Sequence, residues 1–218
     1  MATYESLIKI NGSIGDLVFY NLNGKNVVRK KSGFNKTAFK KSPSYEKVRQ
    51  NSSEFGHCSK AGKTIRSCIE SYTKEAGDPL LYQKFAKLMT AIKDLDTVSA
   101  RGKRTVQNGL LTPEGLKLLR TFSFGEKENI HPEMYISGDK ENRILNLGEK
   151  FSGEEIIIVT IQPDFDAYAA EYFEEKLPVK ALSKELGFEK HFSEATLILY
   201  FLVIRYKEEI TQMGFVGI

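Results

Sequence analysis

The chain has 218 residues, 41% hydrophobic and 28% charged, enough for one large domain or two modest ones, and no run approaches the roughly 18 apolar residues of a bilayer span. The opening MATYESLIKINGS lacks the basic start and apolar stretch of a signal peptide, so no membrane insertion and a cytoplasmic location are expected, with particle association or a specialised export route as alternatives. The net charge of +4 conceals a split, because residues 1–120 hold 22 Lys+Arg and 10 Asp+Glu (+12) while residues 121–218 hold 10 and 18 (−8).

Strands open the chain. SLIKI (6–10) and DLVFY (16–20) flank a turn at Asn11-Gly12, and NVVRKK (26–31) follows a second turn at Asn23-Gly24. Asn-Gly suits a type I′ turn, whose two central positions both need positive φ. A small meander is expected. Ser42-Pro43 then reads as a helix start, with Ser as N-cap and Pro at the first helical position. Tyr45, Val48, Ser52, Phe55, Ser59, Gly62, Ile65 or Arg66, Ile69 and Tyr72 recur at helical spacing behind it. Gly77 suits a C-cap and Asp78-Pro79 a second start, followed by an apolar face of Leu81, Phe85, Leu88, Ile92 and Leu95. Two long helices with a short link predict an antiparallel hairpin. SARGKRTVQNG (99–109) reads as a basic loop, and Thr112-Pro113-Glu114 as the start of a short helical turn through Leu119.

Beyond residue 121 the pattern is β-rich. TFSFG (121–125) and MYISGDKENRILNLGE (134–149) suggest strands, the latter a hairpin about Gly138-Asp139. EEIIIVTIQ (154–162), TLILYFLVIRY (196–206) and MGFVGI (213–218) follow. The two continuous β-branched runs predict strands buried on both faces, as in the middle of a sandwich. DFDAYAAEYFEE (164–175) fits either a helical face of Phe165, Tyr168, Ala169 and Tyr172 or an acidic edge strand. The expected fold is α+β: an N-terminal β-meander, a long antiparallel helical hairpin and a C-terminal immunoglobulin-like antiparallel β-sandwich. Its two parts are a basic region 1–120 and an acidic domain 121–218.

FGHCSKAGKT (55–64) comes within one residue of the phosphate-cradling pattern G-x-x-x-x-G-K-[ST]. Five residues separate Gly56 from Gly62, and what precedes is polar and helical in period, whereas a phosphate loop must leave a buried strand. The segment reads as helix, with small residues that admit close packing. His57 and Cys58 would point about 100° apart on that helix and form no nucleophile–base pair. Cys58 and Cys68, ten residues apart in one helix, would stand about 15 Å from each other, too far for a disulfide and in keeping with a reducing compartment. His57, His131 and His191 lack ligand spacing, and residues 164–175 lack the glycine and spaced ligands of a calcium loop. No G-x-S-x-G or G-x-G-x-x-G occurs. No enzyme, cofactor or metal site is expected.

GKNVVRKKSGFNKTAFKK (24–41) carries Lys25, Arg29, Lys30, Lys31, Lys36, Lys40 and Lys41 with no acid, interleaved with Phe34 and Phe39. Arg101, Lys103 and Arg104 form a second cluster. Such cations meet phosphate while aromatic rings stack on bases; alternatively the rings pin the hairpin to the helices and the lysines are solvated.

Three blocks carry a resemblance. GSIGDLVFYNLNGKNVVRKKSG (12–33) is similar to the G-x-[IL]-x-x-[LI]-x-F-Y opening hairpin of an uncharacterised bacterial family, a domain of unknown function. RQNSSEFGHCSKAGKTIR (49–66) resembles its R-x-N-x-x-E-F-G block running into K-A-G-K, and ARGKRTVQNG (100–109) its A-R-G-x-R-x-V block. The blocks cover roughly the first half. The resemblance implies a common fold and no catalytic residues, and it makes the K-A-G-K segment a family helix feature. At Cys58 the chain departs from the small residue expected there, which argues against a thiol role.

The +12/−8 split leads to the functional expectation of a non-enzymatic assembly protein. Its basic half would dock on the acidic domain of another copy or on an acidic protein partner. The alternatives are nucleic-acid binding through the basic surface and an intramolecular match of the two halves.

Overall fold

Asn23 and Gly24 take φ of 51° and 81°, the pair of positive values that a type I′ turn requires. They join β3 (Leu17–Leu22) to β4 (Lys25–Lys30) in the computed structural model. That structure describes residues 2–6, 10–31, 36–138, 143–149, 151–179, 183–193 and 197–217. The preceding reversal falls at Gly15-Asp16 and not at Asn11-Gly12, because Gly15 supplies the positive φ (58°) and β2 (Gly12–Ile14) pairs Ile14 with Leu17. β1 (Ala2–Thr3) lies on the far side of β4, giving an antiparallel sheet of order β1-β4-β3-β2. The strand expected at 6–10 includes residues 7–9, which lie outside the described residues. α1 (Lys36–Lys41) was not foreseen in the basic stretch.

The chain divides into two compact units, Met1–Arg49 and Gln50–Ile218. α2 (Glu46–Ser67) begins in the first and continues through the second, after a 3-10 turn at Pro43–Tyr45. Ser42 precedes that turn, but its hydroxyl meets Ser44 and caps no backbone N–H. The long helix expected through Tyr72 breaks at Cys68 and Ile69, whose N–H groups bond three residues back, and α3 (Glu70–Ala76) resumes it. Gly77 closes α3 in the left-handed conformation, φ 69°. Asp78 then accepts the Leu80 N–H at 2.9 Å in the turn that leads into α4 (Leu81–Lys93), whose N-cap is Leu80. α4 returns along α2, with Arg66 over the rings of Tyr82 and Phe85, the Cys58 thiol against the Met89 carbonyl, and Lys93 on Glu54. Gly62 permits the approach, since a Cβ there would stand 3.1 Å from Met89 and 3.3 Å from Phe85. Part of the expected basic loop is α5 (Val106–Leu110), capped by Thr105, and α6 (Pro113–Arg120) follows its Thr112 cap.

β7 (Glu155–Asp164) and β10 (Leu199–Tyr206) are the middle strands of a four-stranded antiparallel sheet, order β11-β10-β7-β8, with β8 (Ala169–Pro178) and β11 (Glu209–Val216) at its edges. β5 (Tyr135–Gly138), β6 (Arg143–Asn146) and β9 (Glu185–Phe188) form a second sheet, order β5-β6-β9; the expected turn at Gly138-Asp139 extends into residues outside the described set. Alternation assigns the faces. Ile157, Val159, Ile161, Phe201 and Val203 share a core with Ile65, Ile69, Phe85 and Met89 of the helices. Ile156, Ile158, Leu202 and Ile204 pack with Ile136, Leu145, Leu147 and Phe188 of the second sheet. Helices, central sheet and outer sheet thus form three layers, each fully buried aliphatic side chain contributing about 1.5–3 kcal/mol. The boundary expected at residue 120 falls inside the second unit, where residues from both sides of it share the first core.

No strand forms at 121–125. Phe124 is fully buried instead, its ring 5.0 Å from Phe122 and 5.2 Å from Phe201, so the alternating apolar pattern serves an aromatic cluster between the layers. Residues 164–175 resolve into a turn, with Tyr168 at φ 52°, and the acidic edge strand β8. Among the described residues, no helix is long and apolar enough to cross a membrane.

Candidate functional site

Lys25, Arg29 and Lys30 lie on β4, Lys31 just after it, and Lys36, Lys40 and Lys41 on α1; all seven are exposed. Strand alternation divides the β4 cations, Lys25 and Arg29 on the face of Val27 and Lys30 on the other, opposite Leu17. Lys30 stands 3.6 Å from Asp16 and the Lys31 ammonium donates to the Gly15 carbonyl at 2.9 Å. Such exposed contacts hold a side chain weakly. Arg49 supplies an organising contact that spacing did not reveal: its guanidinium donates to the carbonyls of Phe39 and Ser42, at 2.6 and 3.0 Å, at the end of α1. The Phe39 ring is half-buried, edge-on to Tyr45 at 5.8 Å, while Phe34 lies outside the described residues.

The second basic cluster is built differently. Arg104 donates to both oxygens of the buried Glu54 carboxylate, Nε to Oε1 at 2.9 Å and Nη2 to Oε2 at 2.7 Å. Lys93 donates to Oε2 at 2.9 Å, and the Gly102 N–H to Oε1 at 2.6 Å. Asp94 closes the circuit at 2.5 Å from Lys93 and 2.9 Å from Arg104. Two cations thus face two carboxylates. The Arg104 hydrogen bonds, opposed by burial and aided by Lys93 and Gly102, hold the Glu54 carboxyl far below the usual carboxylate range. Burial alone would lower the Lys93 ammonium, but Asp94 and Glu54 outweigh it and raise its pKa. Arg104 is therefore a clamp, and of the cluster only Arg101 and Lys103 are exposed. Arg101 donates to Asn51 at 3.0 Å.

Asp96 organises the rest of the loop. Its Oδ1 accepts the N–H groups of Val98 and Ser99, and its Oδ2 those of Thr105 and the Asn108 amide. Burial would raise its carboxyl, yet these bonds outweigh burial and lower it strongly. His57 ties the loop to α2 by accepting the Val106 N–H on Nε2 at 2.9 Å, which leaves Nδ1 to donate to the Tyr168 hydroxyl at 3.0 Å. Burial lowers its pKa. Cys58 and Cys68 are buried, and burial raises both thiols. The other histidines have separate partners, His131 beside Glu133 and His191 on Glu175.

Sequence spacing singled out Arg101 and Arg104 but not Glu54, Asp94, Asp96 or Lys93. The available signal was the pairing of an E-F-G block with an A-R-G-x-R block: Glu54 and Asn51 of the one receive Arg104, Gly102 and Arg101 of the other. No family model, no curated protein and no solved structure matches this chain.

Proposed function

We propose that this protein is a non-enzymatic, cytoplasmic assembly protein that associates head to tail, its basic N-terminal unit docking on the acidic surface of another copy. The observation that carries the reading is the charge and thin core of that unit. Residues 1–49 hold 10 Lys+Arg and 3 Asp+Glu, against a balance of −8 over residues 121–218. Val27 is the one hydrophobic residue fully buried among the described residues of the unit. A β-rich unit of that size rarely stands on its own core and gains stability from docking. A contact between unlike surfaces is heterologous, and its repetition gives a ring or a filament.

The reading extends to fold and family. Counting β5 as the first strand, the outer sheet holds strands one, two and five and the central sheet strands seven, six, three and four. That order supports reading the domain as an immunoglobulin-like sandwich with its fourth strand moved to the larger sheet. The Glu54–Arg104 and Asn51–Arg101 contacts support membership of the uncharacterised bacterial family, since they give its second and third blocks a shared structural purpose.

The test replaces Lys30, Lys31, Lys40 and Lys41 together with Gln. The variant should associate at least tenfold more weakly than the wild type at about 50 mM salt, where charge steering is strong. Equal assembly by both would refute the mechanism. Duplex DNA binding by a monomeric wild type, weakening steeply with salt, would replace it with the nucleic-acid reading.

A further inference from the structure

We propose that a groove at the β7–β8 end of the central sheet is the acceptor for the β2–β3 tip of a second copy of this chain. The proposal rests on the assembly reading and names its docking site. The groove is a cavity of about 800 Å³ between α5 and α6 and the strand ends, in the size range of sites that enclose a compact ligand. Leu111, Leu116 and Leu197 contribute apolar wall, and Leu111 is 63% exposed, a large aliphatic left in water. Asp166 and Glu171, both exposed, stand on its rim. Asp164 also lines it, accepting the N–H groups of Asp166 and Ala167. Among the described residues that line the groove, the one arginine, Arg120, is half-buried and donates to the carbonyls of Pro132 and Met134, and it leaves the three carboxylates in excess. An apolar floor under a carboxylate rim calls for an apolar knob flanked by cations.

The β2–β3 tip has that composition. Ile14 and Leu17 face each other across the Gly15-Asp16 turn and are 61% and 38% exposed. Lys30 pairs with Leu17 in the β4 register, and Lys31 reaches the Gly15 carbonyl. Two aliphatic side chains and two ammonium groups are therefore presented by one turn, whose own Asp16 carboxylate stands 3.6 Å from Lys30 and leaves the tip one net positive charge. The apolar pair supplies burial and the charge pattern selects the partner's rim.

The experiment uses two full-length variants whose charges are exchanged, Lys30→Glu with Lys31→Glu and Asp166→Lys with Glu171→Lys. Both sites are exposed, so circular dichroism should report wild-type folding. Each variant alone should associate roughly tenfold or more weakly than the wild type at 50 mM salt by sedimentation velocity. An equimolar mixture should recover large species, because the acidic tip of one fits the basic groove of the other. Loss of assembly in the tip variant with wild-type assembly in the groove variant would overturn the groove while leaving head-to-tail association standing. No recovery in the mixture would also overturn it. A wild type that stays monomeric at every salt and concentration would overturn both the groove and the reading beneath it.

Discussion

Glu54→Gln keeps the shape of the buried side chain and removes its charge. In the wild type the carboxylate receives Arg104, Lys93 and the Gly102 N–H, and the Lys93 side chain is only 5% exposed. Removing one partner of a buried ion pair costs about 3–5 kcal/mol, because the other charge stays buried and uncompensated. Asp94 remains on both cations, which places the loss near the lower end, about 3 kcal/mol. For a chain of this size that corresponds to a fall in Tm of roughly 6–12 °C. Urea unfolding followed by far-ultraviolet circular dichroism measures it, with an unchanged m-value showing that the unfolded state is the same. Combined with Arg104→Gln, the loss should be smaller than the sum of the single losses. The acid limb gives a second readout. The folded Glu54 carboxyl is held low, so its contribution is present above the unfolded value of about 4.3 and is lost as pH falls below it. Glu54→Gln should flatten that limb. A loss below about 1 kcal/mol, with additive double-variant energies, would show that the network does not hold the loop.

Other expectations follow from single contacts. Gly109→Ala should destabilise by more than about 2 kcal/mol despite the better helix propensity of alanine, because the added Cβ would fall 2.0 Å from the Ile92 carbonyl oxygen; thermal melts check this. Phe124→Ala should cost about 3–5 kcal/mol in urea unfolding, since the ring is fully buried among Phe85, Phe122, Phe201 and Phe215. The folded His57 pKa is lowered, so its share of stability is complete above the unfolded value of about 6.5 and is lost as pH falls below it. His57→Gln should accordingly show a shallower decline in Tm between pH 7 and 5.5 than the wild type.

Local chemistry made some elements legible. Asn23-Gly24, Gly77 and Thr112 mark their turn and caps, and Asp78 the turn before α4, through their own conformational or hydrogen-bonding demands, which neighbours in space do not alter. The β-branched runs of β7 and β10 announced strands with no polar face. What escaped depended on partners distant in the chain. TFSFG looks like a strand until Phe85, Phe201 and Phe215 receive its rings. The hairpin between β10 and β11 turns on Lys207 and Glu208 at φ 49° and 67°, with no glycine to signal it. Arg104 looked like a phosphate contact because its partner, Glu54, lies 50 residues earlier in the sequence. Asp96 lies in no motif, and the E-F-G block that holds Glu54 does not name its partner, so only the folded helices and loop bring these groups together.

Head-to-tail association through opposite charges is tested most directly by the solution mass of the wild-type chain. Multi-angle light scattering would be run over a concentration series at about 50 mM and about 500 mM salt, which shortens the screening length severalfold. Species well above the 24.7 kDa chain mass at low salt, growing with concentration and collapsing toward the monomer at high salt, are the predicted result. A 24.7 kDa monomer at every concentration and both salt levels would contradict the account.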